Sequence, residues 1–178
     1  MTGNVFFPSR VFHLALLAIV GLGPGCVEPS DSPVRLNEVL PSNSSLGCGD
    51  EVGERNDWVE LYNTGDRAVD LAGYSLTDDS ASPRKSVIPD GVAIEARSPL
   101  LFWADGTPEQ GKRHLSFKFN AKLEGVLLYD AEARQVDVYR WTDAYSDISF
   151  ARVPDGTGEW FRCDEPTCEA DNSSSCGS

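Results

Sequence analysis

The chain has 178 residues, with 15 Lys and Arg against 28 Asp and Glu, a net charge of −13, 40% hydrophobic residues and 10% aromatics. That length supports one domain with a substantial core, and the apolar content excludes a disordered acidic tail. Four Lys and eleven Arg, scattered along the chain, form no patch able to displace counterions from a phosphate backbone, so nucleic acid is not an expected partner.

The chain opens with the layout of an export signal. Arg10 precedes the apolar run 11–20, which is too short to span a bilayer as a stable helix, and small residues follow. Gly23-Pro24-Gly25-Cys26 then resembles the lipobox of bacterial lipoproteins, whose cysteine is acylated after cleavage. Gly25 and Cys26 match it, whereas Gly23 stands where Leu is usual and Pro24 where Ala or Ser is usual. The expectation is a signal peptide over 1–25 and a lipid anchor on Cys26; the other reading is a plain secretory signal cut at the same small residues. All the acidic residues lie after Cys26, so the exported part would not be drawn to anionic headgroups, and an acyl anchor would have to hold it at a membrane. Residues 26–33, rich in Pro, Ser and acid, suit a short extended tether.

From Val34 the sequence alternates with period two in short runs broken by Gly, Asp, Asn and Pro, without a sustained helical period. Strands are expected at 34–40, 58–62, 69–71, 74–77, 87–88, 98–103, 117–119, 126–129, 136–141, 148–153 and 160–162. Residues 41–56 read as a long polar loop, and Asn63-Thr64-Gly65-Asp66 as a turn. So many short strands, spaced 8 to 14 residues apart, predict an all-β domain over 34–162: a two-sheet immunoglobulin-like sandwich of about nine strands, with a small closed barrel as the alternative.

The chain ends in a Cys-rich tail, 163–178. Setting aside a lipidated Cys26 leaves Cys48, Cys163, Cys168 and Cys176, an even set that in an oxidising compartment means two disulfides with three possible connectivities. A four-cysteine zinc site is the competing reading, and the spacing of Cys163, Cys168 and Cys176 argues against it. Three of the four lie in the tail, so they would pin it, and Cys48 could tie it back to the first hairpin.

Six segments in series resemble the lamin tail domain. They are Arg35-Leu36-Asn37-Glu38-Val39, Asp57-Trp58-Val59-Glu60-Leu61-Tyr62-Asn63, Val69-Asp70-Leu71-Ala72-Gly73-Tyr74-Ser75-Leu76-Thr77-Asp78, Phe117-Lys118-Phe119, Val136-Asp137-Val138 and Arg152-Val153-Pro154-Asp155-Gly156. That family is an immunoglobulin-like sandwich found in nuclear lamins and in many exported bacterial proteins, and the likeness runs over about 34–172. Ala151 stands where the family often has Gly. Pro166, Thr167 and Asn172 match a frequent bacterial ending, in which Cys168 and Glu169 replace Pro and Gly. The resemblance implies a non-catalytic interaction domain, elsewhere often attached to nucleases, phosphoesterases or surface proteins.

Catalytic signals are sparse. The part of the chain after Cys26 holds one histidine, His114, in a polar segment, and no Gly-x-Ser-x-Gly elbow; paired-His metal sites are excluded there, and His114 is expected to be a solvated loop side chain. Glu38 and Glu60 lie inside apolar strands, and alternation puts Glu60 on one face with Trp58 and Tyr62 while Val59 and Leu61 face the other way. Such glutamates form an acid and base pair or a cation site, or, as expected here, each meets an Arg or the backbone, or lies on a wet face. Buried together, one of them would keep its proton at neutral pH. Asp78-Asp79, Asp143 with Asp147, and Asp155 place acids in loops that match no EF-hand, so calcium at Glu38, Glu60 and Asp78 is a minor reading and no cofactor is expected. At least two of Trp58, Trp103, Trp141 and Trp160 are expected in the core, though aromatics also serve sugar-binding or protein-binding faces. Asn43 and Asn172 head glycosylation-type triplets, which carry no meaning in a bacterial lipoprotein. The sequence therefore predicts a lipid-anchored envelope domain that binds a protein or a surface polymer, with an envelope hydrolase using calcium or Glu38, Glu60 and the loop aspartates as the alternative.

Overall fold

A computed structural model describes residues 1, 30–45 and 48–176; the expected signal peptide and Cys26 lie outside the described residues. Among the described residues eleven strands follow in chain order: β1 (Val34–Leu40), β2 (Trp58–Asn63), β3 (Val69–Asp70), β4 (Ser75–Thr77), β5 (Ser86–Val87), β6 (Ala93–Ile94), β7 (Pro99–Trp103), β8 (Lys122–Tyr129), β9 (Gln135–Asp143), β10 (Ser149–Val153) and β11 (Glu159–Cys163). One sheet has the order β11-β10-β1-β2-β7 and the other β5-β4-β8-β9, with β3 and β6 as a small separate pair. All strand pairs are antiparallel, and the sheets pack as an open all-β sandwich of immunoglobulin type. Among the described residues no helix is long and apolar enough to cross a membrane.

Alternation builds the core. Val34, Leu36, Val39, Val59, Leu61 and Phe102 project from the first sheet onto Leu76, Val126, Leu128 and Trp141 of the second. Phe119 closes one end by an edge-to-face contact with Trp141 at 5.2 Å, and the Trp141 indole N–H is satisfied by the Asn120 carbonyl at 3.0 Å. Trp141 is buried in this core and Trp58 and Trp103 are buried in a separate cluster, while Trp160 is half-buried and stacks on Tyr139 at 3.9 Å.

Two strand assignments needed correction. Residues 117–119 form no strand: Lys118 makes a single bridge to Asp105, because residues 113–115 already occupy the hydrogen-bonding edge of Trp103. Phe117 and Phe119 still bury their rings on one side, and that spacing is what made the segment look like a strand. Conversely, β6 has two residues, too few to show any period, and is fixed only by pairing with β3.

Strand β1 carries the irregularity that matters most. Its register with β2 shifts between Leu36 and Glu38, so Asn37 is an extra residue. The bulge turns Asn37 toward Glu60, the residue that Glu38 pairs with, so both side chains gather on the outer side of the sheet.

Candidate functional site

That outer face is not wet. Leu40, Trp58, Leu101 and Trp103 form a second apolar cluster on it, with Cys48 and Cys168 packed against them. The structure pairs Cys48 with Cys168, Cα atoms 6.0 Å apart, and Cys163 with Cys176 at 4.9 Å. The tail after β11 is thereby laid across β1 and β2.

Glu38 and Glu60 are fully buried beneath it. The Glu38 carboxyl accepts hydrogen bonds from Ser149 Oγ at 2.5 Å, from Thr167 Oγ1 at 2.6 Å and from the Thr167 N–H. Glu60 accepts from Asn37 Nδ2 at 2.7 Å and from the Glu169 N–H at 2.6 Å. Cys168 and Glu169 adopt left-handed backbone (φ 52° and 64°), an unusual conformation for residues with a Cβ. Of the expected surroundings the backbone is present, in the Thr167 and Glu169 N–H groups, whereas an Arg partner and a wet face are not. The partners are hydroxyls, amides and backbone N–H groups, and burial by the tail replaces water.

Asp155 joins this cluster, accepting from Asn37 Nδ2 at 3.1 Å, and Gly156 donates its N–H to Asn37 Oδ1 at 2.7 Å. Gly156 has φ +65°, and a Cβ there would fall 2.6 Å from Thr64 Cγ2, so no other residue fits. Asn172 is fully buried, donating to the Arg152 carbonyl and accepting from Thr167, so its triplet is not an open glycosylation acceptor. With three carboxyls and no cation, burial outweighs the hydrogen bonds. It pushes Glu60 up to about 8, helped by the charge of Glu38, and it raises Glu38 and Asp155 as well.

The remaining acids named above lie elsewhere. Asp78 is on the other sheet, in a 2.6 Å ion pair with Lys85, so the proposed grouping of Glu38, Glu60 and Asp78 does not form. Asp78 and Asp79, with Glu124 and Arg140, line a cavity of about 500 Å³ there. Asp79 receives the Ala81 N–H, and Asp143 is exposed at the end of β9. Asp147 is buried and accepts from the N–H and hydroxyl groups of Ser44 and Ser45; burial alone would raise it, but these bonds hold it well below the carboxylate range.

His114 is the largest departure from expectation. It is 6% exposed rather than solvated, because Arg113 and Leu115 hydrogen-bond to the backbone of Trp103 and draw the segment against β7. Its Nδ1 lies 2.5 Å from Asp105 Oδ2 and its Nε2 3.1 Å from Glu51 Oε2. Burial alone would lower the imidazole, but hydrogen bonds to the two carboxylates override it and raise the group. Asp105, 2% exposed, is pushed up by burial and pulled down further by hydrogen bonds from Thr107 and His114. Sequence reasoning missed Glu51 and Asp105, since neither stands in a motif. The one available signal was a lone histidine in a chain with so many acids.

Comparison with known families matches residues 28–143 to the Lamin Tail Domain. No curated protein and no solved structure matches the chain. The matched stretch spans β1 to β9 and stops before β10, β11 and the disulfide-bonded tail, so the cover over Glu38 and Glu60 is built by residues beyond it. With well over half of its length matched and the immunoglobulin-like sandwich in place, the chain belongs to the lamin tail domain family.

Proposed function

We propose that this chain is an exported, non-catalytic interaction domain, anchored through a lipid on Cys26 and binding a protein or surface polymer of the bacterial cell envelope. Membership of a family of immunoglobulin-like binding and structural domains supports the general class. The two disulfide pairings support an oxidising compartment. The observation that carries the non-catalytic reading is the sealing of Glu38 and Glu60. A hydrolase needs its acid and base within hydrogen-bond reach of substrate, and these carboxyls are fully buried and bonded to the chain's own groups.

The address is tested by the intact mass of the native protein from a membrane fraction, measured before and after thiol alkylation. A mass for residues 26–178 plus acyl groups, with no alkylatable thiol until reduction, is the expected result. An unacylated soluble chain would remove the anchor. The role of the glutamates is tested by Glu38→Gln with Glu60→Gln, assayed for capture of envelope extract components and for hydrolysis of envelope polymers. Saturable capture is expected to persist, and any hydrolytic turnover lost in the double variant would reinstate the enzyme reading.

A further inference from the structure

We infer that the cavity between β5 and the 108–115 segment binds the C-terminal end of a polypeptide whose last residue is aliphatic, which rests on the reading of the chain as an interaction domain and names the class of partner. The cavity measures about 200 Å³, below the roughly 300 Å³ at which sites for whole small-molecule ligands begin, so its volume suits one side chain. Val87, Ile88 and Pro89 wall it on the sheet side, and Pro108 and Leu115 on the other. Ile88 and Leu115 are buried members of the main core, which fixes the floor of the slot.

Strand β5 ends its sheet, and its outer edge is open at a single residue. Ile88 donates its N–H to the Tyr74 carbonyl and accepts the Gly73 N–H, so alternation along the ladder turns the N–H and carbonyl of the exposed Val87 away from β4. Lys85, the preceding outward residue, is already occupied: its N–H goes to the Ser82 carbonyl, and its carbonyl takes the Ser116 hydroxyl. The following outward residue is Pro89, which has no N–H to give. A strand running along this edge would meet Ser116 and Pro89, whereas a chain that ends here needs Val87 alone.

Charge selects the kind of chain end. The protein carries a net charge of −13, and the cavity at Asp78 and Asp79 also holds Glu124 while another in the tail holds Asp164 and Glu165, yet no carboxylate lines this slot. Its charged walls are His114 and Lys112. Both ring nitrogens of His114 are held, by Asp105 and Glu51, so the imidazole closes the wall without offering a donor. Lys112 is exposed and spends one N–H on the Asp90 carbonyl at 2.9 Å, and among the described residues it has no carboxylate partner. An ammonium with donors to spare beside an apolar slot suits an aliphatic group joined to a carboxylate, and the free N–H and carbonyl of Val87 suit a peptide main chain. The last residue of a polypeptide supplies all three. Basic residues before it would avoid repulsion by the acidic chain.

The test uses the purified disulfide-bonded protein and a fluorescein-labelled peptide ending in Lys-Thr-Val with a free carboxylate, read by fluorescence anisotropy. Saturable binding is expected, weakened about tenfold or more when the carboxylate is amidated and several-fold when Gly replaces the last Val. Lys112→Glu should weaken it about tenfold or more, whereas Lys122→Glu, the same charge change at an exposed residue outside the cavity, should leave it nearly unchanged. Val87→Pro removes only an outward N–H of an edge strand and should weaken it several-fold; if that variant does not fold, Lys112→Glu, at an exposed side chain, decides. Equal affinity for acid and amide, or equal effects of Lys112→Glu and Lys122→Glu, would overturn the site. Displacement of the peptide by isovalerate at equal concentration would also overturn it, since the ligand would then be a small acid and not a chain end. No peptide binding by a protein that still captures envelope components would overturn the site and leave the proposed function standing, whereas loss of both would overturn the interaction reading as well.

Discussion

Two groups of buried acids, joined by one residue, remove carboxylates from water in opposite ways. Under the tail, Glu38, Glu60 and Asp155 have no cation among their hydrogen-bond partners, and burial drives Glu60 up to about 8, so a proton does the neutralising. Beside β7, Asp105 is equally hidden, yet hydrogen bonds from Thr107 and His114 hold it below its usual range and raise the imidazole, so at pH 6 an imidazolium does the neutralising. Glu169 links the two: its N–H donates to Glu60, and its carboxylate meets Arg113 at 3.1 Å and the Leu101 N–H at 2.9 Å. Depth of burial therefore does not decide a carboxylate's charge; the identity of the neighbour within hydrogen-bond reach does.

Removing the cover is the most severe way to break this contrast. Cys48→Ser with Cys168→Ser opens a link spanning 120 residues and frees the segment that supplies the Thr167 and Glu169 donors. The expected loss is about 2–5 kcal/mol of stability, measured by denaturant unfolding. Exposed to water, Glu60 should then titrate near an ordinary glutamate, which carboxyl NMR would show. A variant that loses stability while Glu60 stays near 8 would mean that the sheet face, not the tail, desolvates it.

Next in size is the loss of the cation. His114→Gln leaves Asp105 buried beside a neutral amide, and breaking a buried pair this way costs about 3 kcal/mol. Thermal melts at pH 6 would measure it, and a change below about 0.5 kcal/mol would mean that the imidazole is not charged in the folded chain.

The proton at Glu60 gives a subtler prediction, in the slope of stability against pH. The unfolded glutamate ionises near 4.5 while the folded one keeps its proton to about 8, so the native state binds the extra proton across that window. This contribution is whole below pH 4.5 and falls by about 1.4 kcal/mol per pH unit as pH rises toward 8. Glu60→Gln cannot titrate, so the difference between wild type and variant should trend across that window and level off above it. The readout is the slope, because Gln also rearranges the bonds to Asn37 and Glu169. A difference independent of pH between 4.5 and 8 would show that Glu60 is ionised when folded.

Much of the fold was legible because period-two alternation is a local signal: Val59 and Leu61 face the core and Trp58 and Glu60 the other way, as their order demands. The adjacency of Glu38 and Glu60 was legible for the same reason. Their burial was not, since it depends on Thr167 and Glu169, more than 100 residues away, and on a bulge at Asn37 that alternation cannot show. The second cluster left no sign beyond a lone histidine among many acids. His114, Asp105 and Glu51 come together through backbone bonds to Trp103 and a loop held by a disulfide, and none of these leaves a periodic trace.

The smallest expected effect checks that the acid clusters are local. Asp78 shares a sequence class with Glu38 and Glu60, but it lies on the other sheet and pairs with Lys85, whose side chain is 36% exposed. Water screens such a pair, so Asp78→Asn should change stability by less than about 1 kcal/mol. Sites without shared partners add, so Asp78→Asn combined with Glu60→Gln should equal the sum of the single changes within about 0.5 kcal/mol. The slope assigned to Glu60 should be the same with Asn or Asp at 78. A coupling larger than that, or a slope that moved with residue 78, would mean that charge on one sheet is felt across the core by the other. The protonated state of Glu60 would then belong to the acidity of the whole chain rather than to the tail above it.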